Sequence, residues 1–250
     1  MHRSWIALAL AAVVVAGCGP SEEQKKQQAA QARQQEWTAI EAAKKSLDAK
    51  RAEVTALKAQ AAAGTDVSAP LVAAEAEVTR LYNDFMPRLV AYINADPPLA
   101  GEPLKPEQLA AVRMNSAESL LVAREHIELG GDYRRAIDIY RQLLQADPDN
   151  PDVKAAMARA QADRFMTAPR FAVIKKGMAM DEVVAAIGRP LARNVKEYPD
   201  KKVTAWFFPK NEDGDAAGVF FTVKDEKKIV YQVDFEAVKA KSGAETAPEA

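Results

Sequence analysis

Cysteine and histidine are almost missing from this chain. The single cysteine, Cys18, has no partner for an intramolecular disulfide and cannot build a cysteine-based metal cluster. Two histidines, His2 and His126, are too few for a multi-histidine metal site, and His126 reads as a surface or interface residue of a helix. Neither sign of charge is in surplus: 34 Lys and Arg stand against 35 Asp and Glu, a formal net charge of −1. That balance excludes nucleic-acid binding by bulk electrostatics, which needs a basic face. The glycines are scattered and read mostly as turn residues, with no phosphate-cradling loop among them, and no G-x-S-x-G elbow occurs. No pair of carboxylates sits in an apolar setting that would tune one as an acid. Asn211-Glu212-Asp213-Gly214-Asp215 lacks the ligand spacing and closing glutamate of a calcium loop and reads as a solvated hairpin turn. The sequence therefore indicates no catalytic residue, cofactor, metal ligand or small-molecule substrate. Aromatics are only 7% of the chain, and much of its 48% hydrophobic content is alanine. At 250 residues, one or two domains are expected.

What is present begins with a short basic start, His2-Arg3, and an apolar run of 11 residues from Trp5 to Val15. The run is too short to cross a hydrocarbon core, which takes about 20 residues, but it suits the apolar region of a signal peptide. It ends in Val15-Ala16-Gly17-Cys18, an aliphatic residue, two small ones and a cysteine. This resembles the lipobox of bacterial lipoproteins. The resemblance implies that residues 1–17 are a removed signal peptide and that Cys18 is the lipid-attachment site, acylated on its thiol and its new amino group. More than one acyl chain gives stable anchoring. Gly19 stands where many such lipoproteins carry an aspartate that retains them in the inner membrane. The resemblance thus favours the outer membrane, periplasmic face.

Residues 18–35 are rich in Gln, Lys, Glu and Ala and hold no large apolar side chain, so they are expected to form a solvated tether or frayed helix. Residues 36–96 read as a helical hairpin. Ile40, Leu47, Val54 and Ala61 recur every seven residues, a weak seam broken by Lys50, and Gly64-Thr65-Asp66 ends the first helix. A second helix follows Pro70, with Leu71, Val78, Phe85 and Tyr92 at the same spacing and a kink expected at Pro87. A free-standing coiled coil and a pair of core helices in a larger bundle fit this pattern equally. Four prolines and a glycine between Asp96 and Pro106 mark a linker.

Residues 106–167 read as further helices. Gly131, Tyr133, Ala136, Tyr140 and Pro148 fall at spacings that resemble the second half of a tetratricopeptide repeat. The glycine lets the chain reverse, the alanine lets two helices approach, and the aromatics fill the wedge between them. Arg124 occupies a position that the family usually keeps small. One repeat and a trailing helix are visible, whereas stable arrays need about three. The resemblance implies protein binding on a helical face, with a purely structural spacer as the alternative.

After Phe165 the composition changes, and seven of the eight phenylalanines lie from there to Phe235. A short helix is expected with Asp181 as its cap and Gly188 as a left-handed C-terminal residue. Strands are expected near 191–197, 202–208, 217–224 and 228–235, forming an antiparallel meander, with Ile229, Tyr231, Val233 and Phe235 lining one face of the last strand. The string Ile174-Lys175-Lys176-Gly177-Met178, Val183, Ile187-Gly188-Arg189-Pro190, Trp206-Phe207-Phe208 and Val219-Phe220-Phe221 resembles the SmpA/OmlA family. Those small outer-membrane lipoproteins include the E subunit of the β-barrel assembly machine. The resemblance covers 171–238 and implies a helix-plus-sheet module that contacts envelope proteins; it assigns no individual binding residue. Residues 239–250 hold no large apolar side chain and are expected to be a disordered tail.

The fold class expected is α+β, helical first and sheet last. The expected function is a non-enzymatic, outer-membrane-anchored periplasmic scaffold or adaptor that binds envelope proteins. A regulator or inhibitor of a periplasmic cell-wall enzyme is the alternative.

Overall fold

A computed structural model describes residues 21–97 and 102–240 of the protein. Cys18, the 1–17 segment, linker residues 98–101 and tail residues 241–250 lie outside the described residues. The architecture is α+β, with helices first and a four-stranded antiparallel sheet last. The chain divides into two compact units, 1–92 and 93–250. The division falls inside a helix, a few residues ahead of the proline-rich stretch, and the repeat-like helices share one unit with the sheet.

The first unit is a helical hairpin. Helix α1 runs Glu22–Ala62 and α2 runs Ser68–Ala95. Of the two forms expected for 18–35, solvated tether or frayed helix, the described part is helix from Glu22 onward. Ser21 caps it: its hydroxyl accepts from the Gln24 N–H at 3.2 Å, and the Gln24 side chain accepts from the Ser21 N–H at 2.9 Å. Gln, Lys and Ala are strong helix formers, so the segment extends the helix although residues 21–32 are all exposed. Trp37, Ile40 and Leu47 are buried on α1; Ala74, Phe85, Leu89 and Tyr92 are buried on α2. The Trp37 and Tyr92 rings lie 5.3 Å apart, and Arg88 pairs with Glu36 at 3.0 Å while Lys58 pairs with Glu75 at 2.9 Å. These pairs fix the antiparallel register. Burial fades toward the turn, where Val54 is only half-buried and Ala61 is exposed, because alanine offers little area there. Pro87 removes one hydrogen bond without ending α2, and Phe85 and Leu89 on either side of it are fully buried.

In the second unit, α3 (Pro106–Gly130), α4 (Tyr133–Ala146) and α5 (Pro151–Asp163) pack around Ala123, Ala136, Ile137, Tyr140, Val153 and Ala160. A short α6 (Ala168–Phe171) leads to α7 (Met180–Ile187). The sheet follows as β1 (Val195–Tyr198), β2 (Val203–Pro209), β3 (Ala216–Lys224) and β4 (Lys227–Val238), in that spatial order. Its inner face, led by Trp206, Phe208, Val219, Phe221 and Val230, packs on Val183 and Ile187 of α7.

Four details differ from expectation. Strand β1 starts late because Ala192–Asn194 forms a 3-10 turn. Asp181 lies in the first turn of α7, not at its cap. Ala179 holds the cap position without a side-chain acceptor, and Glu182 reaches back to accept from the Ala179 N–H at 2.6 Å. Gly188 takes φ +83° with ψ −175°, outside the left-handed helical region but still a conformation suited to glycine. Ile229, Tyr231, Val233 and Phe235 do not share one face of β4. A register shift at Phe220/Phe221 resets the alternation, so Val230 opposes Phe221 in the core and Tyr231 is 39% exposed.

Candidate protein-binding site

The three central helices are positioned by local signals. The Gln108 side chain accepts from the Lys105 N–H at 3.0 Å and donates to the Asp96 carbonyl at 3.1 Å, which fixes the start of α3. Gly131 ends α3 with φ +64°. Asp132 caps α4 by accepting from the Arg135 N–H at 3.0 Å, and Asn150 caps α5 by accepting from the Asp152 and Val153 N–H groups. The buried Asp147 at the exit of α4 holds Arg113 of α3 at 3.0 Å.

Ala123 and Ala136, both with no exposure, sit in the shared core where α3 and α4 approach. The small residue of α3 is therefore Ala123, while its neighbour Arg124 is exposed and close enough to Tyr140 to act on it electrostatically. Burial pushes the Tyr140 phenol up from its ordinary value, and the Arg124 charge opposes that rise. His126 is half-buried, and its backbone carbonyl accepts from the Asp132 N–H at 2.8 Å.

A groove of about 460 Å³ opens along α3 and α4. Val112, Val122, Ile139 and Leu143 give it an apolar lining, and Asn115, Ser116, Ser119 and Gln142 supply polar groups. The Ser116 hydroxyl is buried with no hydrogen-bond partner among the described residues. An apolar trough with a few amide and hydroxyl groups suits the apolar face of a peptide or helix. The sequence marks the aromatics and alanine that build the helical pair but not the groove residues. The signal for them was weak, since Val112 and Val122 are ordinary helix residues until a second helix runs beside them.

Among the described residues, no cluster of three or more His, Cys, Asp or Glu is arranged to hold a metal ion. Asn211 to Asp215 forms a closed turn. The Asn211 Oδ1 accepts from the N–H groups of Asp213, Gly214 and Asp215, each at 3.1 Å, and its Nδ2 donates to Asp215 at 2.8 Å. No helix among the described residues is long and apolar enough to cross a membrane.

A family model for the tetratricopeptide repeat matches residues 130–164. The matched stretch contains α4 and α5, so the recognised pair lies one helix later than an α3–α4 pairing. No curated protein and no solved structure matches the chain. Stacked helical pairs of this kind present surfaces that bind other proteins.

Proposed function

We propose that the protein is a non-enzymatic periplasmic scaffold, held to the outer membrane by lipid on Cys18, that binds envelope proteins through the groove along α3 and α4. The observation that carries the reading is the groove itself: apolar, and set beside helices matched as a tetratricopeptide repeat. The lipobox-like Val15-Ala16-Gly17-Cys18 motivates the anchor. The SmpA/OmlA-like pattern over 171–238, with one helix on an antiparallel meander, supports a role beside other envelope proteins.

Two measurements test it. Val122 lines the groove and is 38% exposed, so Val122→Asp should leave the fold intact while placing an unpaired charge in the trough. Envelope partners crosslinked at native expression should fall at least tenfold in that variant; undiminished recovery overturns the groove as the binding site. Cys18→Ser should move the protein from the membrane to the soluble fraction. If it stays with the membrane, the lipid anchor is wrong.

A further inference from the structure

A second cavity, of about 380 Å³, lies where the start of α4 meets the sheet module. Its floor is apolar: Met166, Ile187 and Phe208 are each 5% exposed, with Pro190 and Leu191 beside them. Its rim is basic. Arg134, Arg164, Arg170, Arg189 and Arg193 line it against only three carboxylates, Asp132, Asp163 and Glu212. Those carboxylates are already engaged. Asp132 caps α4, Asp163 lies 3.7 Å from Arg170, and Glu212 pairs with Arg164 at 2.8 Å. Arg134, Arg189 and Arg193 are exposed and form no ion pair among the described residues. In a chain of net charge −1, this local surplus is not a reflection of composition.

The placement of Arg134 is informative. It sits with Arg135 in the first turn of α4, where the helix macrodipole is positive, next to the Asp132 carboxylate that caps the helix by accepting from the Arg135 N–H. Two arginines at that end outweigh the single capping carboxylate, so a further anion beside them is favoured.

We propose that this cleft docks a carboxylate-rich segment of a partner protein, with an aliphatic side chain on the apolar floor and flanking carboxylates on Arg134, Arg189 and Arg193. Planar guanidinium groups match carboxylates in bidentate geometry. The apolar floor favours a peptide over a phospholipid headgroup, which would leave Met166, Ile187 and Phe208 without an apolar partner. The inference rests on the scaffold reading but concerns a different surface, so the two fail separately.

The test uses fluorescence anisotropy on the full chain with an acetylated, amidated peptide carrying four glutamates around a leucine. A peptide with glutamine at those four positions is the control. The glutamate peptide should bind at least tenfold more tightly, weaken with added salt, and lose at least tenfold on Arg189→Glu with Arg193→Glu. Val122→Asp should leave this binding unchanged even if it abolishes partner recovery. Equal binding of both peptides, no binding at low salt, or indifference to the double reversal overturns the proposal. So does sedimentation with anionic phospholipid vesicles, lost in the same double variant, without peptide binding. Should the double variant fail to fold, Arg134→Gln carries the test, with at least a threefold loss expected and none overturning it.

Discussion

Gly131 carries two requirements at once. Its φ of +64° suits a residue without a β-carbon, and a β-carbon there would lie 2.4 Å from the Arg189 carbonyl oxygen and 2.7 Å from the Pro190 carbonyl carbon. Gly64, at φ +88°, has open space around it. Gly64→Ala should therefore cost only the left-handed strain, about 1–2 kcal/mol. Gly131→Ala should cost clearly more, because backbone at 189–191 must also move; denaturant unfolding of the two variants compares them. The turn between β3 and β4 offers the opposite case. Asp225 and Glu226 both take positive φ, 47° and 62°, without a glycine. Glu226→Gly should stabilise the hairpin by about 1 kcal/mol, read as a raised denaturation midpoint. Asp215 accepts from the Ala240 N–H at 2.7 Å and from Asn211, and these bonds hold its carboxyl below the usual carboxylate range. Its folded pKa is depressed, so the contribution is present above the unfolded value, about 3.9, and is lost as pH falls through the folded value. The Ala240 amide proton should accordingly titrate below about pH 3.9 when followed by NMR; a midpoint above that would break the assignment.

At the scale of elements, the helical hairpin is uneven along its length. Fully buried Ile40, Leu47, Phe85 and Leu89 hold the end away from the turn, while residues 58–66 are exposed and Val67 is the one buried side chain beside the turn. Amides in 55–72 should exchange with solvent faster than those in 37–47 and 82–92. In α4, the 3%-exposed Tyr140 fills the core shared with α3 and α5, so Tyr140→Ala should cost about 3–5 kcal/mol. Element type and order were legible from the sequence because heptad spacing, capping residues and the phenylalanine-rich end each report on local structure. The start of α1 is only half legible, because a solvated helix such as 22–35 has helix-forming composition but no apolar stripe to separate it from a tether. The faces of β4 are not legible from the sequence, because period-two alternation holds only along an unbroken ladder and the register shift at Phe220/Phe221 is set by the partner strand. The arginines of the cleft come from three separate stretches of sequence, and only folding brings them together.

For the whole molecule, the division between Tyr92 and Ile93 predicts separable responses. Phe85→Ala should raise hydrogen exchange across 37–92 and leave 195–238 protected, since each unit has its own core; a rise throughout would show that the units unfold together. The sheet also bears on how the protein behaves at high concentration. A strand at a sheet edge is a template for pairing with another chain. Here β1 is only four residues long, and the much longer β4 is closed at its start, where Gly177 donates to the Val230 carbonyl at 2.8 Å and the Val230 N–H donates to Met178 at 2.9 Å. Further along β4, the Asp234 carboxylate accepts from the Glu236 N–H at 2.8 Å, and both are acidic residues on the exposed side. A strand from a second molecule would find that backbone donor already engaged and would have to bury the Asp234 carboxylate and the Glu236–Lys210 ion pair, 2.6 Å long, beside it. The register shifts and carboxylates that complicate β4 thus work against edge-to-edge growth of a phenylalanine-rich sheet from one molecule into the next.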